Sequence, residues 1–268
     1  MSRSDVVYYY DGSFYGFLTG VFDAFDLKEE PALFLSQEEE EQPLLFDSHF
    51  VETDPQKARR VLRGVQRTLG DRGVDIVREG FLTCLPQREY LLLKFLRQGF
   101  REGPQLLAQL TREPLCTLLS AIQKAKNEAH LLTGFVRFTR CETGVYVARI
   151  RPHNQVLPLI SRFFCARYFF QPFLIWDITH RMVLHQPKKR PRILPLDSLE
   201  MPAPSPEEEE IQNMWRAFYN TMAIPARENP RCRMTHMPKR FWEFLTELVP
   251  PEKENDEKAL TFFNGMIQ

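Results

Sequence analysis

The chain opens with the pattern of a buried strand followed by an amphipathic helix. Val6–Tyr10 is an unbroken run of β-branched and aromatic residues, which is typical of a buried strand. From Phe14 to Phe25, apolar residues recur at spacings of three and four, which predicts a helix with one apolar face. Asp11, Gly12 and Ser13 predict a tight turn with Ser13 as the helix N-cap. A turn of this kind can also hold a phosphate, so both interpretations stay open here.

The middle of the chain has the periodicity of helices. Short strands are predicted at Ala32–Leu35 and Leu44–Phe50, on either side of a solvated acidic run at residues 38–41. From residue 54 to about 132 the apolar residues follow helical spacing, with a break at Gly70–Gly73. We therefore predict a helical subdomain over this stretch.

Strand patterns return after residue 132. Phe135–Phe138 and Val145–Ile150 are separated by a short turn and predict a hairpin. A helix at Val156–Tyr168 follows, and then a second strand pair at Phe173–Trp176 and Met182–His185. This order, β-β-α-β-β, predicts an antiparallel sheet with helices packed on one face, and thus an α+β fold class.

The C-terminal part predicts a pair of amphipathic helices. Ser205 is a good N-cap for a first helix, whose apolar positions from Ile211 to Met222 share one face. A second helix is predicted to begin near Pro238 and to end at Pro250. We expect residues 1–196 to form an α+β core with a helical insert at about 54–132. Residues 197–268 would then be a linker and a C-terminal helical segment packing on the core.

Composition narrows the class of protein. The apolar share of 43% is ordinary for a soluble globular chain, and no apolar run is long enough for a transmembrane helix. The N-terminus lacks the pattern of a signal peptide, so we expect a cytoplasmic protein. The five cysteines are widely spaced without a C-x-x-C pair, which favours reduced thiols. No metal site and no cofactor is predicted.

The net charge of zero hides a strong segregation of charge. Residues 137–192 contain 11 basic and 2 acidic side chains, whereas residues 193–210 contain 6 acidic and no basic ones. Such segregation indicates an anionic partner, unless the acidic and basic segments pair with each other in the fold. The candidate phosphate-binding residues in this block are Arg137, Arg149 and Arg151 of the predicted hairpin and the strip Lys188, Lys189 and Arg190.

A second basic feature is the connector, residues 224–242, between the two predicted C-terminal helices. A phosphate at the start of the second helix would explain two cations, Lys239 and Arg240, in its first turn. Pairing of these cations with nearby carboxylates is the alternative. The candidate phosphate-binding residues of the connector are Arg227, Asn229, Arg231, Arg233, Lys239 and Arg240.

Candidate catalytic residues are few. His153 lies where a strand passes into a helix, and Asp177 and His180 lie where one strand ends and the next begins. Asp177 could orient either histidine as a general base, although a loop histidine is more often structural. The sequence motifs of serine hydrolases, zinc proteases, deaminases and uracil glycosylases are absent. The sequence therefore leaves open whether the protein is an enzyme.

The segment from Met214 to Leu248 resembles the C-terminal part of a bacterial family of unknown function that is assigned to DNA metabolism. The resemblance rests on Ile224, Arg227, Asn229, Pro230 and Arg231, and then on the run Met237–Trp242, where Phe241 replaces the family's tyrosine. It extends to the N-terminal strand and helix and to residues 134–177. The resemblance implies a radical-SAM DNA-repair protein as partner, and some members carry a uracil-DNA-glycosylase-like domain. It carries over no catalytic residue.

Three hypotheses follow, in order of preference. The first is a nucleic-acid-binding accessory protein, with DNA as its ligand, that works with the radical-SAM partner in repair or modification. The second is an enzyme acting on a nucleobase or nucleotide through His153, Asp177 or His180. The third is a protein-interaction scaffold without affinity for nucleic acid.

Overall fold

The computed structural model describes residues 6–36, 47–187 and 190–249. The chain forms two compact units, residues 1–125 and 126–268. Each unit has its own β-sheet and its own hydrophobic core. The predicted division at residues 196 and 197 is therefore not the place where the compact units separate.

The first unit is built around a central buried strand. β1 (Val6–Tyr10) lies between β2 (Leu33–Ser36) and β3 (Asp47–Phe50), and both pairings are parallel. α1 (Phe14–Asp26) connects β1 to β2, as parallel neighbours require a crossover. A Cβ added at Gly20 would lie 2.9 Å from a ring carbon of Phe34, so glycine permits this close approach of α1 to the sheet. The predicted β1 and α1 are confirmed, and the predicted acidic loop lies outside the described residues.

Helices dominate the next stretch, as predicted. They are α2 (Pro55–Phe81), α3 (Arg88–Glu102), a 3-10 helix at Gly103–Ala108, and α4 (Leu115–Phe135). The helix α2 is interrupted at Gly70, whose φ of +68° and ψ of −167° are not helical, so the predicted break between two helices is confirmed. The apolar faces of these helices share one core with β1 and α1.

The second unit contains a mixed five-stranded sheet, which corrects the predicted antiparallel one. Its strands are β4 (Thr139–Arg140), β5 (Tyr146–Ile150), β6 (Phe173–Asp177), β7 (Met182–Gln186) and β8 (Arg192–Pro195), in that spatial order. β5 and β6 are parallel, and the other pairings are antiparallel. β6 is parallel to β5 because α5 (Leu157–Arg167) carries the chain back to the end of the sheet at which β5 begins.

The C-terminal part differs from the predicted helix pair. α6 (Pro206–Met222) begins as predicted, with the Ser205 hydroxyl accepting the N–H of Glu208 at 3.2 Å. The helix predicted to begin near Pro238 is replaced by a 3-10 helix at Lys239–Phe244, and the predicted connector contains the seven-residue α7 (Pro230–His236). Asn229 is the N-cap of α7, since its side chain accepts the N–H of Cys232. The helix ends at His236, two residues before Pro238. The α+β class is retained in both units.

The 3-10 helix attaches the C-terminal segment to the core of the second unit. Phe241 is 3% exposed and packs with β5, β6, β7 and α5, and Leu245 is fully buried. The predicted apolar face of α6 is instead exposed. Its exposed apolar residues are Ile211, Met214, Trp215, Phe218 and Met222.

We predict that Phe241→Ala lowers the free energy of unfolding by about 3–5 kcal/mol, since it leaves a cavity in the core. Phe218→Ala is the matched control, because that ring is 55% exposed and its removal should cost under about 1 kcal/mol. Urea unfolding of both variants measures the difference. Equal losses would contradict the burial of the C-terminal segment.

Candidate nucleic-acid interface

Three of the arginines predicted to bind phosphate contact the C-terminal segment. The Arg137 guanidinium lies 3.0 Å from the Glu247 carboxylate, and Arg151 lies 3.1 Å from Glu243. Arg149, on β5, places its guanidinium 5.8 Å from the centre of the Phe244 ring. Arg137, Arg149 and Arg151 thus all contact residues 243–247.

The Glu247 carboxylate, in the C-terminal segment, accepts hydrogen bonds from two other side chains. It accepts hydrogen bonds from Arg137 and from the indole N–H of Trp215, the latter at 3.1 Å. Burial by itself would raise the pKa of Glu247, but these hydrogen bonds outweigh burial and lower it. Glu247 is therefore a carboxylate at neutral pH that ties α6, through Trp215, to the C-terminal end of α4.

Glu128 forms a second junction and accounts for two of the predicted site residues. Its side chain, on α4, is 3% exposed and accepts the backbone N–H groups of His153 and Asn154 at 3.0 and 2.9 Å. The Asn154 amide donates to it at 2.7 Å, and Arg240 pairs with it at 3.1 Å. The turn at His153 is thus held by its backbone, and Arg240 has a carboxylate partner in place of a phosphate.

The predicted phosphate site at the start of a second helix is therefore not formed as expected. Lys239 and Arg240 begin a 3-10 helix of six residues, and Arg240 is turned toward Glu128. The alternative weighed for these cations, pairing with a carboxylate, describes Arg240. Lys239 remains exposed.

The rest of the connector keeps its cations at the surface. Arg227 and Arg231 are exposed, and Arg233 is half-buried with its guanidinium 6.0 Å from the centre of the Trp242 ring. Within the described part of the chain, none of these three arginines forms an ion pair. Asn229 has the structural role of capping α7. Of the other strip, Arg190 is exposed, and Lys188 and Lys189 lie outside the described residues.

Asp177 and His180 are brought together as a pair. Asp177 ends β6 and is 1% exposed, and its carboxylate lies 2.7 Å from Nδ1 of His180. It also accepts the backbone N–H of His180 at 3.1 Å. Because Nδ1 faces the carboxylate, Nε2 is the nitrogen that would exchange a proton with a substrate. Asp177 thus orients His180, whereas His153 is fixed through Glu128.

The turn at Asp11, Gly12 and Ser13 is closed by its own side chains. The Ser13 hydroxyl caps α1 by accepting the N–H of Gly16 at 2.9 Å. Asp11 accepts the N–H of Ser13 at 2.9 Å and the hydroxyl of Thr53 at 2.8 Å. Burial would raise the pKa of Asp11, but these hydrogen bonds lower it. A carboxylate therefore occupies the position over the start of α1 that a phosphate would need.

The described ranges 6–36, 47–187 and 190–249 contain no cluster of metal-binding side chains. No group of three or more His, Cys, Asp or Glu side chains there could hold a metal ion. In the same ranges, no helix is both long and apolar enough to cross a membrane.

The sequence did not predict two features of the second unit, namely the burial of Glu128 and the exposure of the aromatic residues that follow α5. The buried Glu128 has a detectable signal, since it shares the apolar face of α4 with buried Ala125 and Leu132. The exposed aromatic residues that follow α5 have none, because apolar residues next to a helix end ordinarily predict burial. Their exposure is visible only in the structure.

Comparison with known proteins identifies a family but no activity. A family model described as a domain of unknown function (DUF4130) matches residues 86–247. No curated protein and no solved structure matches the chain. The matched range contains all residues of the Glu128 and Glu247 junctions.

We predict that Arg240→Ala lowers the free energy of unfolding by about 1–3 kcal/mol, because it leaves the buried Glu128 carboxylate without its cation. The adjacent Lys239→Ala is the control and should change it by less than about 0.5 kcal/mol. Thermal and urea unfolding of the two variants provide the test. An Arg240→Ala protein as stable as the Lys239→Ala protein would show that the pair contributes nothing.

The lowered pKa of Glu247 predicts a dependence on pH. A group whose pKa is lower in the folded state stabilises the fold above its ordinary value of 4.5, and this contribution is lost as pH falls through the folded pKa. Glu247→Gln should therefore be less stable than wild type at pH 7, and the difference should shrink toward pH 3. A difference that is constant with pH would contradict this ionic role.

Proposed function

Since the chain belongs to the family of the domain of unknown function DUF4130, we propose from its own residues that it is a nucleic-acid-binding accessory protein. The proposed ligand is DNA, and the proposed setting is DNA repair or modification together with a radical-SAM partner enzyme. The resemblance of residues 214–248 suggests that setting and partner. The residues of the connector suggest the ligand.

The observation that carries the proposal is the contrast between two groups of cations. Arg137, Arg151 and Arg240 have carboxylate partners within the second unit. Arg227 and Arg231 are exposed, and neither forms an ion pair within the described part of the chain. Arg227 and Arg231 therefore lack a competing carboxylate among the described residues, and they are the connector cations that contact phosphates in this proposal.

The local charge supports an anionic ligand. Residues 224–242 contain four arginines and one lysine against a single acid, Glu228. Arginine binds phosphate through two parallel N–H groups, which makes it suited to a nucleic-acid backbone. Such contacts set affinity and not sequence preference, as an accessory protein acting at many sites requires.

A second candidate function is an enzyme acting on a nucleobase or nucleotide. The specific observation in its favour is the hydrogen bond of 2.7 Å between Asp177 and His180. A buried carboxylate that orients an imidazole in this way produces a general base. Product formation that depends on His180 and needs no partner would establish this function.

A third candidate is an interaction scaffold. Its support is the exposed apolar face of α6, because exposed apolar patches of this kind commonly bind other proteins. Complex formation with the radical-SAM partner in the absence of nucleic-acid affinity would establish it.

The proposal is tested by fluorescence anisotropy with labelled single-stranded DNA, duplex DNA and RNA at several salt concentrations. The logarithm of the binding constant should fall linearly with the logarithm of salt concentration, because bound cations release counterions. Arg227→Ala/Arg231→Ala should reduce the slope by about 0.7 to 0.9 for each phosphate contact removed.

A matched control separates this effect from net charge. Lys94→Ala/Lys124→Ala removes the same charge from exposed positions on α3 and α4, and it should leave the slope unchanged. Equal effects of the two double variants would place binding outside the connector. Absence of binding by the wild-type protein to all three ligands would refute the proposed function.

A further inference from the structure

An exposed aromatic surface lies at the end of α5. We define the α5 aromatic patch as Phe163, Phe169 and Phe170 with the flanking Arg162 and Arg167. Phe170 is 86% exposed and Phe169 is 61% exposed, and their ring centres are 4.9 Å apart. Two adjacent phenylalanines this exposed cost solvation free energy, which marks the patch as a contact surface.

The backbone that carries the two rings is fixed. The N–H of Tyr168 donates to Phe164, and the N–H of Gln171 closes a turn onto the carbonyl of Tyr168 at 3.1 Å. The Tyr168 ring packs on Phe138 and Phe173, with ring centres 4.7 and 5.8 Å away. Because Tyr168 anchors the turn in the core, the next two rings are held out into solvent.

The chain segment that carries the patch contains basic residues and no acidic ones. Residues 143–176 contain no aspartate or glutamate, and Arg162 and Arg167 are both exposed. Neither arginine forms an ion pair in the part of the chain that the structure describes. Phe163 and Arg167 are four residues apart on one helix face, so an aromatic ring and a cation lie side by side.

We propose that the α5 aromatic patch stacks the unpaired bases of single-stranded DNA while Arg162 and Arg167 contact its phosphates. This inference rests on the proposed nucleic-acid binding and adds the strand state of the ligand. Proteins that bind single strands without sequence preference combine aromatic stacking surfaces with basic side chains. Duplex DNA presents its bases already stacked and paired, so it offers the exposed rings nothing to stack on.

The test compares Phe169→Ala/Phe170→Ala with a matched control, Phe50→Ala/Leu110→Ala, which removes two exposed apolar side chains from the first unit. The patch variant should bind single-stranded DNA at least about thirtyfold more weakly, since it loses two rings and each stacked base is worth about 1–3 kcal/mol. Its salt slope should equal that of the wild type, because phenylalanine neutralises no phosphate. Its affinity for duplex DNA and the binding of the control variant should not change.

A direct readout accompanies the affinities. Single-stranded DNA containing 5-iodouracil should crosslink under ultraviolet light to peptides containing Phe169 or Phe170, as identified by mass spectrometry. Crosslinks confined to other peptides would overturn the inference. So would a patch variant that binds single-stranded DNA as tightly as wild type, or one whose only defect is weaker binding to vesicles of phosphatidylserine.

Failure of the inference can be told apart from failure of the proposed function. Binding that is lost in Arg227→Ala/Arg231→Ala but retained in Phe169→Ala/Phe170→Ala overturns only the patch. The reverse result supports the patch and overturns the role of the connector. A wild-type protein that binds no nucleic acid overturns both.

Discussion

The second unit is organised by one buried carboxylate. Glu128 is 3% exposed, and a buried charged group without partners costs several kcal/mol. The chain satisfies it with the backbone of the turn after β5, the Asn154 amide and the Arg240 guanidinium. These donors come from two distant segments, so satisfying one charge fixes both the turn and the C-terminal segment. Arg240 is the neighbour of Phe241, whose ring is buried in the core of the second unit.

Ion pairs within the fold decide which basic residues of a segment have no carboxylate partner. Arg137 and Arg151 read as a binding face in the sequence, yet Glu247 and Glu243 neutralise them from more than ninety residues away. The exposed arginines without an ion pair in the described residues include Arg227 and Arg231 in the connector and Arg162 and Arg167 on α5. A charge count along the chain locates positive charge, and only the fold shows which part of it is available to a ligand.

The local elements were predictable, and the long-range arrangements were not. Periodicity and capping residues suffice for β1, α1 and α6, because those signals lie within a few residues of each other. The parallel pairing of β5 with β6 was missed, although the predicted α5 between them is the crossover that requires it. The second C-terminal helix was predicted because Phe241 and Leu245 have the four-residue spacing of an α-helix, whereas the chain forms a 3-10 helix that ends at Phe244 and buries Leu245 from its C-cap position. Glu128 and the exposed rings after α5 depend on contacts distant in sequence.

Arg137 and Glu247 are in contact although they are 110 residues apart in the sequence, and this separation has a consequence for biosynthesis. During translation the first unit has all its elements long before the ribosome has made residues 240–247. Until that segment is made, the core of the second unit lacks Phe241, and Glu128 lacks the Arg240 guanidinium. Nascent chains that lack this segment therefore expose part of the core of the second unit, and exposed apolar surface of this kind is bound by chaperones and is prone to aggregate.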